Sequence, residues 1–144
     1  MAVNEGNAIN SYRDAMQALA QRLIAASMAL LDLFQTGDPN DPACLAAITR
    51  ETAAMRSIYL DALALSPPAI ARGVQACTLR WFAAMVEVAD DIDAGLADDD
   101  EARVLRGFKK AEAAGPLAAD ATRSAQRLAK KVELQNARPV WRRP

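Results

Sequence analysis

Histidine is absent from this chain of 144 residues, and with it the commonest general base and a frequent metal ligand. The sequence also lacks a glycine-rich phosphate loop, a nucleophile elbow and a Cys-x-x-Cys pair. Each absence removes a class of catalytic or ligand site. We therefore expect a protein that is not an enzyme, with no catalytic residue, no cofactor and no bound metal.

Cysteine and aromatic residues are scarce as well. The two cysteines, Cys44 and Cys77, make no disulfide framework, and we expect both to be free thiols that behave as small buried apolar side chains. Only seven residues are aromatic, whereas 33 are alanine. A core of small and aliphatic side chains with few rings favours closely packed helices over a β-sandwich or a barrel.

Long apolar runs are missing too. The longest stretches without a charge span about ten residues, whereas a membrane-spanning helix needs about 20. The first residues have neither the basic nor the apolar region of a signal peptide. These features predict a cytoplasmic protein, and the excess of Ala, Arg and Asp beside only four lysines is typical of a GC-rich bacterial genome.

Helical periodicity is the main pattern that the chain does contain. In residues 8–36, apolar side chains recur in steps of three and four and so form one seam of a helix. The seam consists of Ile9, Tyr12, Met16, Leu19, Leu23, Ala26, Leu30 and Leu33. Towards its end the stripe widens to include Ile24, Leu31 and Phe34, which predicts that two neighbouring helices cover it.

Similar patterns predict further helices over residues 42–65, from Ser66 with Pro67 and Pro68 in the first turn, from about Asp98, and over residues 116–136. The third helix is the most apolar, so we expect it to be central. No strand pattern occurs. The predicted fold is therefore all-α, an up-down helical bundle of four long helical segments with the last broken at Gly115-Pro116. Residues 1–136 would form the bundle domain, and residues 137–144 a basic C-terminal tail that contains Pro and Trp.

Charge is distributed unevenly along a chain whose formal net charge is only −1. Seven acidic side chains lie in residues 90–101, and the residues after them carry eleven Lys/Arg against three Asp/Glu. Carboxylates at the end of a helix, such as Asp90, Asp91 and Asp93, are disfavoured by its dipole. A metal ion, the chain's own basic residues or a partner could offset this, or the segment is a solvated acidic turn. Glu87 is the one carboxylate predicted to be buried, paired with Arg56 or Arg22.

A calcium loop does not explain the acidic segment. Counted from Asp90, Gly95 and Glu101 fall at the EF-hand positions 6 and 12, but positions 3 and 5 are Ile92 and Ala94, which offer no side-chain oxygen.

The C-terminal basic residues are the candidate partner-binding site. Four of them lie on the polar face of the last predicted helix, and the others, with a tryptophan, lie in the tail. They are Arg123, Arg127, Lys130, Lys131, Arg138, Trp141, Arg142 and Arg143. Arg and Trp are enriched at binding hot spots. The alternatives are an ordinary solvated helix face and a tail that is disordered or folds back on its own bundle.

The direction of the chain after Gly115-Pro116 decides how these charges are arranged. We expect a sharp turn there, which would return the last helix and the basic tail toward the acidic segment. Without the turn, the two charged regions would lie about 40 Å apart at opposite ends of the bundle.

Taken together, these features favour a non-enzymatic protein–protein interaction module, such as an adaptor, a chaperone-like protein, an immunity protein or a structural subunit. It would use the seam of the first helix and the basic tail, with a protein partner or a second copy of itself. Association with nucleic acid through the last helix and tail is the alternative, and the acidic pI of about 5.4 counts against it. A third class, a small-ligand-binding bundle, requires a pocket between helices near Trp81 and Phe82.

Overall fold

The computed structural model describes residues 2–137, with side chains from residue 6 onward. Five α-helices occupy most of this range. They are α1 (Ala2–Thr36), α2 (Pro42–Leu63), α3 (Arg72–Ala97), α4 (Glu101–Ala113) and α5 (Gly115–Asn136), with a short 3-10 helix over Ala69–Ala71 before α3. No strand occurs between residues 2 and 137. The predicted all-α bundle of four long segments is confirmed, with α4 and α5 forming the last, bent segment.

The seam of α1 faces the centre of the bundle, as its spacing predicts. Seven of its eight residues, from Ile9 to Leu30, are buried, and Leu33 is half-buried. Burying one such aliphatic side chain contributes about 1.5–3 kcal/mol. The seam therefore holds α1 to the rest of the bundle.

The start of α2 follows the predicted capping pattern. The Asp41 side chain accepts a hydrogen bond from the Ala43 amide at 3.2 Å, and Pro42 occupies the first turn, where its missing amide costs nothing. The buried face of α2 includes Ile48, Thr52 and Met55.

The predicted start of the third helix at Ser66 is wrong. Ser66, Pro67 and Pro68 precede the 3-10 helix, and α3 begins only at Arg72 without a side-chain cap. A residue before proline is pushed out of the helical region, and this restriction applies both to Ser66 and to Pro67. Pro68, at the start of the 3-10 helix, is itself extended, with φ −57° and ψ 156°.

The third helix is central, because α2, α4 and α5 all pack against it. Phe82, Val88 and Ile92 are almost completely enclosed. Both cysteines are free, as predicted, but only Cys44 is buried. Cys77 is half-exposed, because the face of α3 that turns inward is centred on Thr78 and Phe82.

The helices α3 and α4 form a hairpin that depends on two glycines. A Cβ on Gly95 would lie 2.6 Å from Val104 Cγ2, and one on Gly107 would lie 3.1 Å from Ile92 Cγ1. Between the helices, Asp99 adopts a left-handed conformation with φ 53°, and the Asp100 side chain caps α4. The close approach explains why α4 has a glycine in its interior, although glycine weakens a helix by about 1 kcal/mol relative to Ala.

The sharp turn predicted at Gly115-Pro116 is not formed. Ala114 keeps a right-handed helical conformation, with φ −78° and ψ −12°, and its carbonyl accepts a hydrogen bond from the Ala118 amide at 3.1 Å. Gly115 does not adopt a positive φ, and Pro116 needs no amide partner in the first turn of α5. The chain bends and continues in the same direction.

As a result, the end of α5 lies beside the start of α1. Val132 and Asn136 line a shallow depression together with Asn10 and Arg13. The acidic segment lies at the other end of α3. The two charged regions are therefore separated by the length of the bundle, about 40 Å for the 26 residues of α3.

Candidate functional site

The sequence predicted that the seam of α1 is a contact surface for a partner. This prediction is wrong, because the seam is buried in the chain's own core. A different row of α1 is exposed instead. Ile24, Met28 and Leu31 follow one another at steps of four and three residues, and they are 48%, 66% and 47% exposed. The prediction that neighbouring helices cover Ile24 and Leu31 is therefore wrong.

This exposed row forms one wall of an apolar groove, which we call the Met28 groove. The opposite wall comes from the region where α4 meets α5, and the base comes from α3. The lining residues include Trp81, Met85 and Val88 of α3, Phe108 of α4, and Ala111, Ala114, Gly115 and Ala118 at the bend. The groove has a volume of about 540 Å³. Such a volume is typical of sites that accept a ligand or a side-chain cluster.

The groove is open because the residues at the bend are small. Ala111, Ala114 and Ala118 carry only a methyl group, and Gly115 carries none, so they cannot fill the space in front of Met28. Longer side chains at these positions would close the bundle around α1.

The side chains that line the groove suit the binding of apolar partner surfaces of different shapes. The exposed Met28 and two half-buried aromatic side chains line it, together with Met55 and Met85, which are buried in the core. Methionine is flexible and polarisable, and it is common at surfaces that bind several partners. Among the described residues that line the groove, Glu112 is the only charged one.

A ring contact fixes one end of the groove. The rings of Phe34 and Phe108 meet edge to face, with centroids 4.9 Å apart and planes at 82°. Aromatic pairs favour this edge-to-face arrangement, and here it joins the end of α1 to α4. Trp81 is held in a similar way by Phe82, at a centroid distance of 5.3 Å.

Three carboxylates of the acidic segment, Asp90, Asp91 and Asp93, are paired with the chain's own cations. The Arg56 guanidinium of α2 lies 2.7 Å from Asp93 and 2.8 Å from Asp90. The Thr52 hydroxyl also donates to Asp93, at 2.9 Å. These contacts join α2 to α3.

Asp91 pairs with α4 on the other side of the same turn. Its side chain is only 13% exposed, and it contacts Lys110 Nζ at 2.7 Å and Arg103 Nε at 3.4 Å. The neighbouring Lys110 ammonium, and to a lesser extent Arg103, lowers the pKa of Asp91 although burial opposes this. The sequence left open which positive charge offsets these carboxylates. In the structure, Arg56, Arg103 and Lys110 lie beside them. No metal-type cluster of acidic or cysteine side chains occurs among the described residues.

The prediction that Glu87 is buried beside Arg56 or Arg22 is wrong. Glu87 is exposed, and Arg22 instead contacts Asp61 at 3.6 Å. The helical period held the correct signal, because Asp91 follows the buried Val88 at a step of three, and Gly95 follows it at a step of four. Extending the buried row by one turn would have identified Asp91.

A buried polar connection joins three helices, and the sequence pattern did not predict it. The Tyr12 hydroxyl donates to Gln75 Oε1, and Gln75 Nε2 donates to the Ala62 carbonyl at 3.1 Å. These contacts link α1, α3 and the end of α2. Burial raises the pKa of Tyr12 to about 12.

The predicted basic residues of α5 lie on its outer surface. All four of Arg123, Arg127, Lys130 and Lys131 are exposed, and Arg123 pairs with Asp120 one turn earlier. The other four predicted residues, Arg138, Trp141, Arg142 and Arg143, lie outside the described residues. None of the four described basic side chains, those of α5, lines the Met28 groove.

The fold and this site define an all-α up-down bundle with an apolar lateral groove at the bend of its last segment. No family model, curated protein or solved structure matches the chain. Within residues 2–137, every helix is too short or too polar to cross a membrane.

Proposed function

We propose that this protein is a non-enzymatic protein–protein interaction module and that its contact surface is the Met28 groove. The observation that carries the proposal is the exposed row of Ile24, Met28 and Leu31 beside a groove that contains Trp81 and Phe108. A contiguous apolar surface of this kind is costly in water unless another molecule covers it.

The shape of the groove favours a protein ligand that presents a short row of apolar side chains. Helices recognised in grooves present such rows at steps of three and four residues. The centre of a protein interface is apolar and rich in aromatic and Met side chains, with few charges, and this matches the lining of the Met28 groove.

The pairing of the acidic segment also favours an interaction module over an enzyme. Asp90, Asp91 and Asp93 each contact a cation from a neighbouring helix. Carboxylates that join helices in this way have a structural role, and this role accounts for them without an acid–base reaction.

The proposal is tested by comparing two variants in the source cell. Met28→Glu places a charge in the groove, and Leu60→Glu places one at a matched site on α2, where Leu60 is 63% exposed and outside the groove. Tagged versions of the two variants and of the wild type are isolated with their bound proteins, which are identified by mass spectrometry. We expect Met28→Glu to lose proteins that the wild type and Leu60→Glu both retain. An identical set of proteins in all three samples would refute the proposal.

Association with nucleic acid through α5 and the tail is the second candidate. The separation of α5's basic end from the acidic segment favours it, because the acidic side chains would not repel phosphate at that distance. The test is fluorescence anisotropy with labelled single-stranded and duplex oligonucleotides at about 50 mM and about 200 mM salt. This candidate predicts binding at the lower salt that weakens at the higher salt and with Lys130→Gln. Absence of binding at the lower salt would eliminate it.

A further inference from the structure

The Met28 groove is out of reach of the chain's own C-terminal tail. Trp141 follows Ala137 by four residues, so even an extended chain takes it no more than about 14 Å from Ala137. Ala118, which lines the groove, lies 19 residues before Ala137, or about 28 Å along the helix. Trp141 of the same molecule therefore cannot enter the groove.

The tail nevertheless has the chemistry that the groove requires. Val140 and Trp141 are adjacent apolar residues, and Arg138, Arg142 and Arg143 flank them. The groove offers Met, Trp and Phe side chains for the apolar pair, and the one charged residue of its described lining, Glu112, is acidic. Sulfur–aromatic contacts and an Arg–Glu pair would both be favourable.

We infer that the Met28 groove binds the Val140–Trp141 segment of a second copy of this chain. This inference rests on the proposed function, because it names the protein ligand of the same groove. If each copy inserts its tail into the groove of the other, the contact is isologous and closes as a dimer with twofold symmetry. Tryptophan is a frequent hot spot in such interfaces, so Trp141 would contribute much of the affinity.

The first measurement is the oligomeric state by sedimentation velocity over a range of protein concentrations. The full chain is expected to dimerise, and both Trp141→Ala and Met28→Glu are expected to weaken the dimer at least about tenfold. Leu134→Glu is the control, because Leu134 is 62% exposed on α5 and lies outside the groove. It is expected to dimerise like the wild type. Circular dichroism checks that every variant is folded.

Mixing the two weakened variants gives the sharper test. The Met28→Glu chain keeps an intact tail, and the Trp141→Ala chain keeps an intact groove, so one exchanged contact can still form. A labelled mixture is expected to give a one-to-one complex that neither variant forms alone at the same concentration. A dimer made by packing two α1 rows would not be weakened by Trp141→Ala in the first place.

A labelled peptide covering residues 136–144 supplies an independent readout. It is expected to bind a chain truncated after Ala137, and this binding is expected to be lost with Met28→Glu. A monomeric wild type, an undiminished Trp141→Ala dimer or a peptide that does not bind would each overturn the inference. The proposed function would survive these outcomes if Met28→Glu still loses its cellular partners.

Discussion

The Lys110 ammonium of α4 lies 2.7 Å from Oδ2 of Asp91, near the end of α3. That oxygen is enclosed by protein, six residues before α3 ends at Ala97. The hairpin of α3 and α4 therefore places a cation beside an enclosed carboxylate oxygen.

Removing Lys110 should destabilise the protein, because it leaves the enclosed Asp91 carboxylate without its nearest cation. We expect Lys110→Met to lower the free energy of unfolding by about 1–2 kcal/mol, which is less than for a fully buried pair because Lys110 is itself partly in solvent. Urea denaturation followed by circular dichroism at neutral pH measures the change. The control is Lys109→Met at the exposed neighbouring position, for which we expect a change of less than about 0.5 kcal/mol.

Stability should also depend on pH through Asp91. Its pKa in the folded state lies below the ordinary value of 3.8, so its contribution is present above that value and is lost as the pH falls through the folded-state pKa. The urea midpoint of the wild type should therefore drop more steeply below about pH 4 than that of Asp91→Asn. Equal slopes for the two proteins would show that Asp91 makes no such contribution.

We expect stability to depend on pH a second time, at alkaline pH, through Tyr12. Its pKa is raised from 10.0 to about 12 in the folded state, so the unfolded chain ionises first. The contribution of Tyr12 to the free energy of unfolding is therefore fully present below pH 10, and it is lost as the pH rises toward 12. Tyr12→Phe should flatten this part of the stability profile. Phenolate absorbance during an alkaline titration should show one tyrosine that ionises only as the protein unfolds.

Substitution by alanine should change stability differently at a glycine of the hairpin and at a glycine that has open space beside it. A Cβ on Gly95 would lie 2.6 Å from Val104 Cγ2 and 2.9 Å from the Asp100 carbonyl oxygen, so Gly95→Ala should destabilise the protein by about 1–3 kcal/mol. At Gly73, in the first turn of α3, a Cβ meets nothing within 4 Å. Gly73→Ala should therefore be neutral or stabilising, by up to about 1 kcal/mol. Thermal unfolding of both variants compares them directly.

The helices and the core of the bundle were predictable from the sequence because their signals are local. The steps between Ile9 and Leu30 repeat at the helical period, so they define a buried face without reference to any other segment. The same holds for Asp41 and Pro42, which act within one turn of the helix that they begin.

The candidate site was not predictable in the same way. The periodic pattern gives Ile24 and Leu31 the same apolar signal as their buried neighbours, and only the small residues at the α4–α5 bend leave them uncovered. Whether Gly115-Pro116 reverses the chain or merely bends it also depends on how α5 packs against α3, because the local sequence is compatible with both.

The sequence by itself determined that this chain forms long amphipathic helices, since each helix depends on contacts between residues three and four apart. The tertiary structure alone decided which apolar row stays in solvent, which cations meet Asp91 and Asp93, and how far apart the acidic and basic ends lie. Those outcomes depend on contacts between residues distant in sequence, and local periodicity carries no information about such contacts.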